Sequence, residues 1–207
     1  MSKIEANTID SISGTSTMQI GSTNTSTINI GVSGDTVNIP SGVTIANAGT
    51  ATGFGGGKLL QVVANNYTTV ATISASGRTD LFTQAITPTV ASSKILISFS
   101  VGMGNNQTGV SAINLRRDIA SGGYADIAQG SGATTHNATA GGAYDSDSNV
   151  LRQISYVYLD SPSYSVGNAI TYKLQYYSNS ASNQFINRSP SNGTTTTSNI
   201  VLMEIAT

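Results

Sequence analysis

TMQIGSTNTSTINIGVSGDTVNIPSGVTIA, the stretch from Thr17 to Ala46, contains the same short unit four times: an apolar residue, one spacer and a second apolar residue. Gly21 and Gly31 follow the first two units and Pro40 follows the third, so each of these three units ends at a residue that favours a turn. The pattern predicts a ladder of very short β-strands, with apolar positions at Met18, Ile20, Ile28, Ile30, Val37, Ile39, Val43 and Ile45.

Strands this short cannot bury their own apolar side chains, since even an isolated two-stranded hairpin is only marginally stable in water. Identical ladders from neighbouring chains could close around a shared axis and give every strand edge a partner. We therefore predict that residues 17–52 form the β shaft of an intertwined homotrimer, with the apolar positions as its trimerisation core. A disordered linker is the alternative, because Ser, Thr, Gly and Asn dominate the segment.

The composition is poor in charge and contains no cysteine. Charged residues make up 9% of the chain, against about 25% in ordinary soluble proteins. The formal net charge of −1 offers no electrostatic basis for binding nucleic acid, and no stretch approaches the roughly 20 apolar residues of a membrane span. The absence of cysteine excludes disulfides and thiolate metal sites. Such a composition is typical of extracellular β-structured fibres and adhesins.

Beyond the shaft, a glycine-rich joint is predicted at residues 53–57 and a head domain at residues 58–207. The head alternates apolar and polar residues with period two and has no convincing helical period, which predicts β-strands. Eight segments carry this signal: 59–63, 69–73, 80–86, 94–101, 110–117, 150–159, 169–177 and 199–205. We predict an all-β protein whose shaft leads into a jelly-roll-like antiparallel β-sandwich head.

Several phrases of the chain resemble a family of small virion fibre proteins of bacteriophages that infect marine bacteria, including cyanobacteria. The matching stretches are Ser33–Val63, Ser92–Val101, Tyr158–Tyr177, Phe185–Ser189 and Ser198–Thr207. The resemblance implies a tail-fibre-like structural protein that is assembled in the host cytoplasm and lies on the outside of the particle. Residues 1–16 are then expected to be an arm that attaches to another virion protein, or else a frayed first rung of the shaft.

The loop from Gly130 to Ser148 is the longest irregular stretch and is predicted to be the host-facing patch. Long loops on a rigid scaffold are a usual place for binding, and tyrosine rings stack well on sugars. The candidate receptor-binding residues are Tyr124, Thr134, Thr135, His136, Asn137 and Tyr144. Each tyrosine could instead cover a sheet edge or fill a subunit interface, and His136 could be an exposed loop residue without a role.

The sequence also contains candidates for a calcium site and for a catalytic pair of carboxylates. Asp145, Asp147 and Asn149 have the alternating spacing with which calcium loops begin, but Val150 stands where such loops need glycine, so a solvated turn is favoured over a metal site. A pair of carboxylates for glycan cleavage is disfavoured, because most aspartates of the head lie at strand ends or in turns. We therefore expect no cofactor and no enzymatic activity.

The resulting hypothesis is a trimeric bacteriophage fibre that attaches to the particle by its N-terminal part and contacts a host surface glycan or protein through its head. A decoration or cement protein of the capsid or neck is the first alternative, because it would use the same fold without a receptor. A glycan-degrading tailspike-like enzyme is the remote alternative.

Overall fold

The computed structural model describes residues 20, 23–24, 26–43, 58–105, 110–133, 136–141, 150–180, 183–191 and 193–206. The chain divides into two units, Met1–Ala51 and Thr52–Thr207. No helix occurs in the described residues, and accordingly none there is suited to crossing a membrane. The predicted attachment arm, Met18, Ile45 and the joint at 53–57 lie outside the described residues.

In the N-terminal unit, turns lie where the sequence places its breaks. The backbone N–H of Asp35 donates to the carbonyl of Val32, and the Val32 N–H donates back to the Asp35 carboxylate at 2.9 Å. The Val43 N–H closes a second turn on Pro40. The described part of this unit forms no strand within one chain. Six of the predicted trimerisation residues are exposed there: Ile20, Ile28, Ile30, Val37, Ile39 and Val43.

Among the described residues of this unit, these side chains find no core. Their exposed fractions run from 46% at Ile39 to 69% at Ile30. Pairing between neighbouring chains stays a prediction.

The head is an antiparallel β-sandwich. Its described residues form β1 (Leu59–Tyr67), β2 (Ala71–Ile73), β3 (Gly77–Ile86), β4 (Lys94–Asn105), β5 (Ser111–Ile119), β6 (Ala125–Ile127), β7 (Ala140–Gly141), β8 (Val150–Asp160), β9 (Ile170–Ser178), β10 (Gln184–Ile186) and β11 (Ser198–Ile205).

Each sheet has four strand positions. In the first sheet β8 pairs with β4, β11 and β10 lie end to end along the other edge of β4, and β1 and β2 complete the sheet outside them. In the second sheet the order is β3, β9 and β5, with β6 and β7 end to end along β5.

Pairing in the head is nested. β1 and β2, which come first in the chain, pair with β11 and β10, which come last. Inside them β3 pairs with β9, β4 with β8, and β5 with β6 and β7. A long hairpin rolled up in this way is a jelly roll, and the prediction of a jelly-roll sandwich is therefore confirmed.

The core lies between the two sheets and is filled by alternate residues of the central strands. Ile95, Ile97 and Phe99 of β4 meet Tyr172 and Leu174 of β9, and all five side chains are buried. The Tyr172 hydroxyl donates to the buried Asp160 carboxylate at 2.8 Å, and Arg117 pairs with the same carboxylate at 2.7 Å. Burial, reinforced by the charge of Asp160, raises the pKa of Tyr172.

Candidate functional site

The outward side of the second sheet is polar, and we call it the polar face. Because Ile170, Tyr172, Leu174 and Tyr176 of β9 are buried, the residues between them project outward. The strand register places outward residues of β5 and β3 beside them. The polar face consists of Thr171, Lys173, Gln175 and Tyr177 of β9, Ala112, Asn114, Arg116 and Asp118 of β5, Arg78, Asp80, Thr83 and Ala85 of β3, and Asp126 of β6.

Ion pairs cross-link the strands of the polar face. Lys173 Nζ lies 2.6 Å from Asp80 Oδ2, and the Gln175 amide donates to the other oxygen of Asp80. Arg78 Nη1 and Arg116 Nε lie 2.8 and 3.0 Å from Asp126 Oδ1. The hydrogen bond from Lys173 lowers the pKa of Asp80, and the hydrogen bond from Arg78 lowers the pKa of Asp126. Both carboxyls are therefore ionised near neutral pH.

The polar face carries many charges whose sum is zero. Three cations, Arg78, Arg116 and Lys173, face the three carboxylates Asp80, Asp118 and Asp126. Asp118 also accepts a hydrogen bond from the Gly123 N–H at 2.9 Å, which holds the turn before Tyr124. A face of this kind presents hydrogen-bonding groups without strongly attracting ions of either sign.

Tyr124 lies at one end of the polar face. Lys173 Nζ lies 4.0 Å from the centre of the Tyr124 ring, and Arg116 Cζ lies 5.9 Å from it. Arg116 also donates to the Tyr124 carbonyl at 2.7 Å. Two cations thus fix a half-buried aromatic ring against the sheet. Tyr124 is the predicted receptor-binding tyrosine that the structure describes.

His136 and Tyr177 form a second aromatic cluster at the other end. Their rings stack with centroids 3.6 Å apart and planes inclined by 10°. His136 Nε2 lies 2.9 Å from Asn114 Oδ1, and because an amide oxygen only accepts, the imidazole donates there. Burial lowers the pKa of His136, and the charge of Arg78 lowers it further. His136 is therefore neutral near pH 7 and holds its loop over β5.

Between the two clusters, two buried polar atoms lack a hydrogen-bond partner among the described residues. They are Asn114 Nδ2, a donor, and Gln175 Oε1, an acceptor, on side chains that are 0% and 7% exposed. Asn114 and Gln175 are direct cross-strand neighbours. One is a donor and the other an acceptor, and both are buried beneath the surface of the polar face.

The structure brings two predicted site residues to the polar face but not to the same point. Tyr124 is next to Lys173 and His136 is next to Tyr177, and these β9 residues are about 13 Å apart along the strand. The Asn137 side chain is used within the loop, where its oxygen accepts from the Ala133 N–H. Thr134, Thr135, Tyr144, Asp145, Asp147 and Asn149 lie outside the described residues.

Most of the polar face was missed by the sequence reasoning, although a signal for it exists. In TYKLQYY the residues Thr171, Lys173, Gln175 and Tyr177 alternate with Tyr172, Leu174 and Tyr176, and in β5 Asn114, Arg116 and Asp118 likewise occupy every second position, although Arg117 stands between the last two. Only the pairing of β9 with β5 shows that the two polar rows share a face. Within the described parts of the chain no group of three or more metal-binding side chains occurs.

Comparison with known proteins adds little. No protein-family model and no curated protein matches the sequence. Among solved structures, a chain from the "Structure of infectious bursal disease virus Gx strain" aligns with a TM-score of 0.36 and 11% identity, over 81% of this chain and 46% of that one. This chain thus spans about half the length of that viral one. A TM-score of this size does not establish a shared function.

Proposed function

We propose that this protein is a trimeric fibre on the outside of a bacteriophage particle and that the polar face of its head binds a host surface glycan. The resemblance of Ser33–Val63 and Phe185–Ser189 to virion fibre proteins supports the assignment to a particle. The exposed apolar rungs of the N-terminal unit support assembly from several chains, because each rung needs a core that one chain does not supply.

The observation that carries the glycan proposal is the pairing of aromatic rings with neutralised polar groups on one sheet face. Tyr124 and the His136–Tyr177 stack provide flat rings at both ends of a strip of amide, carboxylate and ammonium groups. Sugars are bound by such combinations, since a ring covers the apolar face of the sugar while polar groups bond to its hydroxyls. The zero net charge of the polar face favours a neutral glycan.

We propose that the head binds without cleaving. A glycosidase needs a carboxylic acid whose pKa is raised so that it can protonate the leaving group. Asp80 and Asp126 of the polar face have lowered pKa values instead, and cations hold both in their ionised form. Asp160 is buried behind the sheet in its pair with Arg117.

The position of the protein on the particle tests the fibre assignment against a decoration protein. Antibodies against the head, coupled to gold, should label the outer ends of fibres in electron micrographs of intact particles. Labelling spread evenly over the capsid would instead support the decoration or cement protein.

A further inference from the structure

We infer that the outward side of the first sheet is a second interface, through which the heads of neighbouring copies of this chain pack on one another. We call this side the apolar face. This inference deepens the proposed function, because it rests on the proposed homotrimer and assigns part of the association between chains to the head.

The strand register defines the apolar face. One row across the sheet is Val62, Met203, Leu96 and Leu159, and the next is Ala64, Val201, Ser98 and Val157. Leu59 and Ile205 extend the apolar area towards the start of the head. Among these outward positions the large side chains of Leu59, Val62, Val157 and Leu159 are 46–60% exposed.

Only one charged residue, Lys94, lies among the paired outward positions of this sheet, at the end of the row that contains Ile205. The polar face of the same head carries six charged groups on a sheet of similar size. The low overall charge of the chain therefore does not by itself explain the apolar face, since the outward side of the second sheet carries six charged groups against one here.

Strand β8 adds an open edge to the apolar face. In the described part of the head, β8 pairs only with β4, although β8 is eleven residues long. Its second half, from Ile154 to Leu159, contains no charged residue. Monomeric proteins usually protect a long edge strand with charges, prolines or a bulge. An edge left unprotected in this way is suited to contact with another chain.

A second copy of this chain is the occupant that fits. The two four-strand rows carry no charge, so copies of them can meet without repulsion, and they have no charge pattern that would select a foreign partner. Residue 58 leads directly into Leu59 at the apolar end of the face, so copies joined through their N-terminal units hold these faces at high effective concentration.

The apolar face is large enough to supply part of the interface between chains, with the N-terminal unit supplying another part. Two rows across four strands, together with Leu59 and Ile205, cover about 300 Å², which is a little over a third of the area that each partner buries in a standard interface of about 800 Å² per side. The exposed rungs of the N-terminal unit supply further apolar area for the same assembly.

Thiol protection tests this interface in the full-length protein, which has no cysteine of its own. Single cysteines are introduced as Val157→Cys on the apolar face and as Thr83→Cys on the polar face, and their reaction rates with a maleimide are compared. In the single chain both positions are exposed, with Val157 at 60%. We expect Val157→Cys to react roughly tenfold more slowly than Thr83→Cys, and denaturant to abolish the difference.

Val62→Cys serves as a second reporter in case one variant folds poorly, and light scattering of the same samples gives their mass. Equal rates at both faces in an oligomer would overturn the head interface while leaving the homotrimer intact. A monomer mass in light scattering would contradict the homotrimer as well, so failure of the head interface and failure of the homotrimer can be told apart.

Discussion

At the scale of single residues, Glu204 shows how the head uses one of its few charges. It lies on β11 with no exposed surface, and its carboxylate accepts hydrogen bonds from Gln61, Ser93 and the backbone of Thr89. Burial alone would raise the pKa of Glu204, but these donors together hold it below its ordinary value. The carboxylate thereby ties the last strand to β1 and to the segment between β3 and β4.

Replacing this carboxylate should destabilise the head and change its response to acid. We expect Glu204→Gln to lower the free energy of unfolding by about 2–4 kcal/mol at pH 7, because several buried donors lose a charged acceptor. The lowered pKa means that Glu204 stabilises the wild type fully above about pH 4.3 and that this contribution is lost as the pH falls through the folded pKa.

Denaturant unfolding at pH 7 and pH 3, at one fixed protein concentration, measures both effects. The difference between wild type and Glu204→Gln should shrink at the lower pH. An unchanged difference would mean that the folded state does not favour the ionised form of Glu204.

At the scale of elements, the long strands and the short β2 were predictable from sequence, and the other short strands were not. All eight predicted segments overlap observed strands, because each alternates over enough residues to show which side faces the core. β6, β7 and β10 have two or three residues each, so they carry no period of their own. They exist because β5 and β4 offer free edges for pairing.

The residues of the polar face, too, could be predicted only in part from the sequence. Tyr124 and His136 were selected because they lie in glycine-rich loops, and both do reach the polar face. Lys173, Asp80 and Asn114 were not selected, since no spacing along the chain brings β9, β3 and β5 together. Their shared face depends on pairing between residues that are 51 to 101 positions apart in the sequence, which only the fold reveals.

The segment just after β10 approaches β4 closely enough for a specific test. A Cβ added at Gly104 would lie 2.5 Å from the carbonyl oxygen of Arg188, so a backbone would have to move. We expect Gly104→Ala to lower the free energy of unfolding by about 1–3 kcal/mol.

Gly141 on β7 is the matched control, because an added Cβ would meet nothing within 4 Å there. Gly141→Ala should change the free energy of unfolding by less than about 0.5 kcal/mol. Thermal unfolding of both variants would contradict the described packing if Gly104→Ala were as stable as the control.

At the scale of the whole molecule, different parts of the chain are suited to different contacts. The rungs of the N-terminal unit and the apolar face are exposed and uncharged, which suits association of copies. The polar face is charged, internally neutralised and bordered by aromatic rings, which suits contact with a hydrated host surface.

The first prediction at this scale is that the full-length chain assembles into a homotrimer. We expect light scattering to give three times the chain mass of 21.2 kDa. Ile28→Asp combined with Ile30→Asp should weaken this association, because both side chains are exposed in the single chain and need an apolar environment in the shaft. A wild-type protein that scatters as a monomer at micromolar concentration would rule out the shaft.

Competition for adsorption tests the central claim, that the polar face contacts the host. Purified wild-type protein should slow adsorption of the parent phage to its host cells roughly tenfold at saturation. Protein carrying Tyr124→Ala and Tyr177→Ala should fail to compete, since both ends of the polar face lose their rings. Val166→Ala, an exposed change between β8 and β9, should compete like wild type. Normal adsorption in saturating wild-type protein, or equal competition by the double variant, would contradict the account.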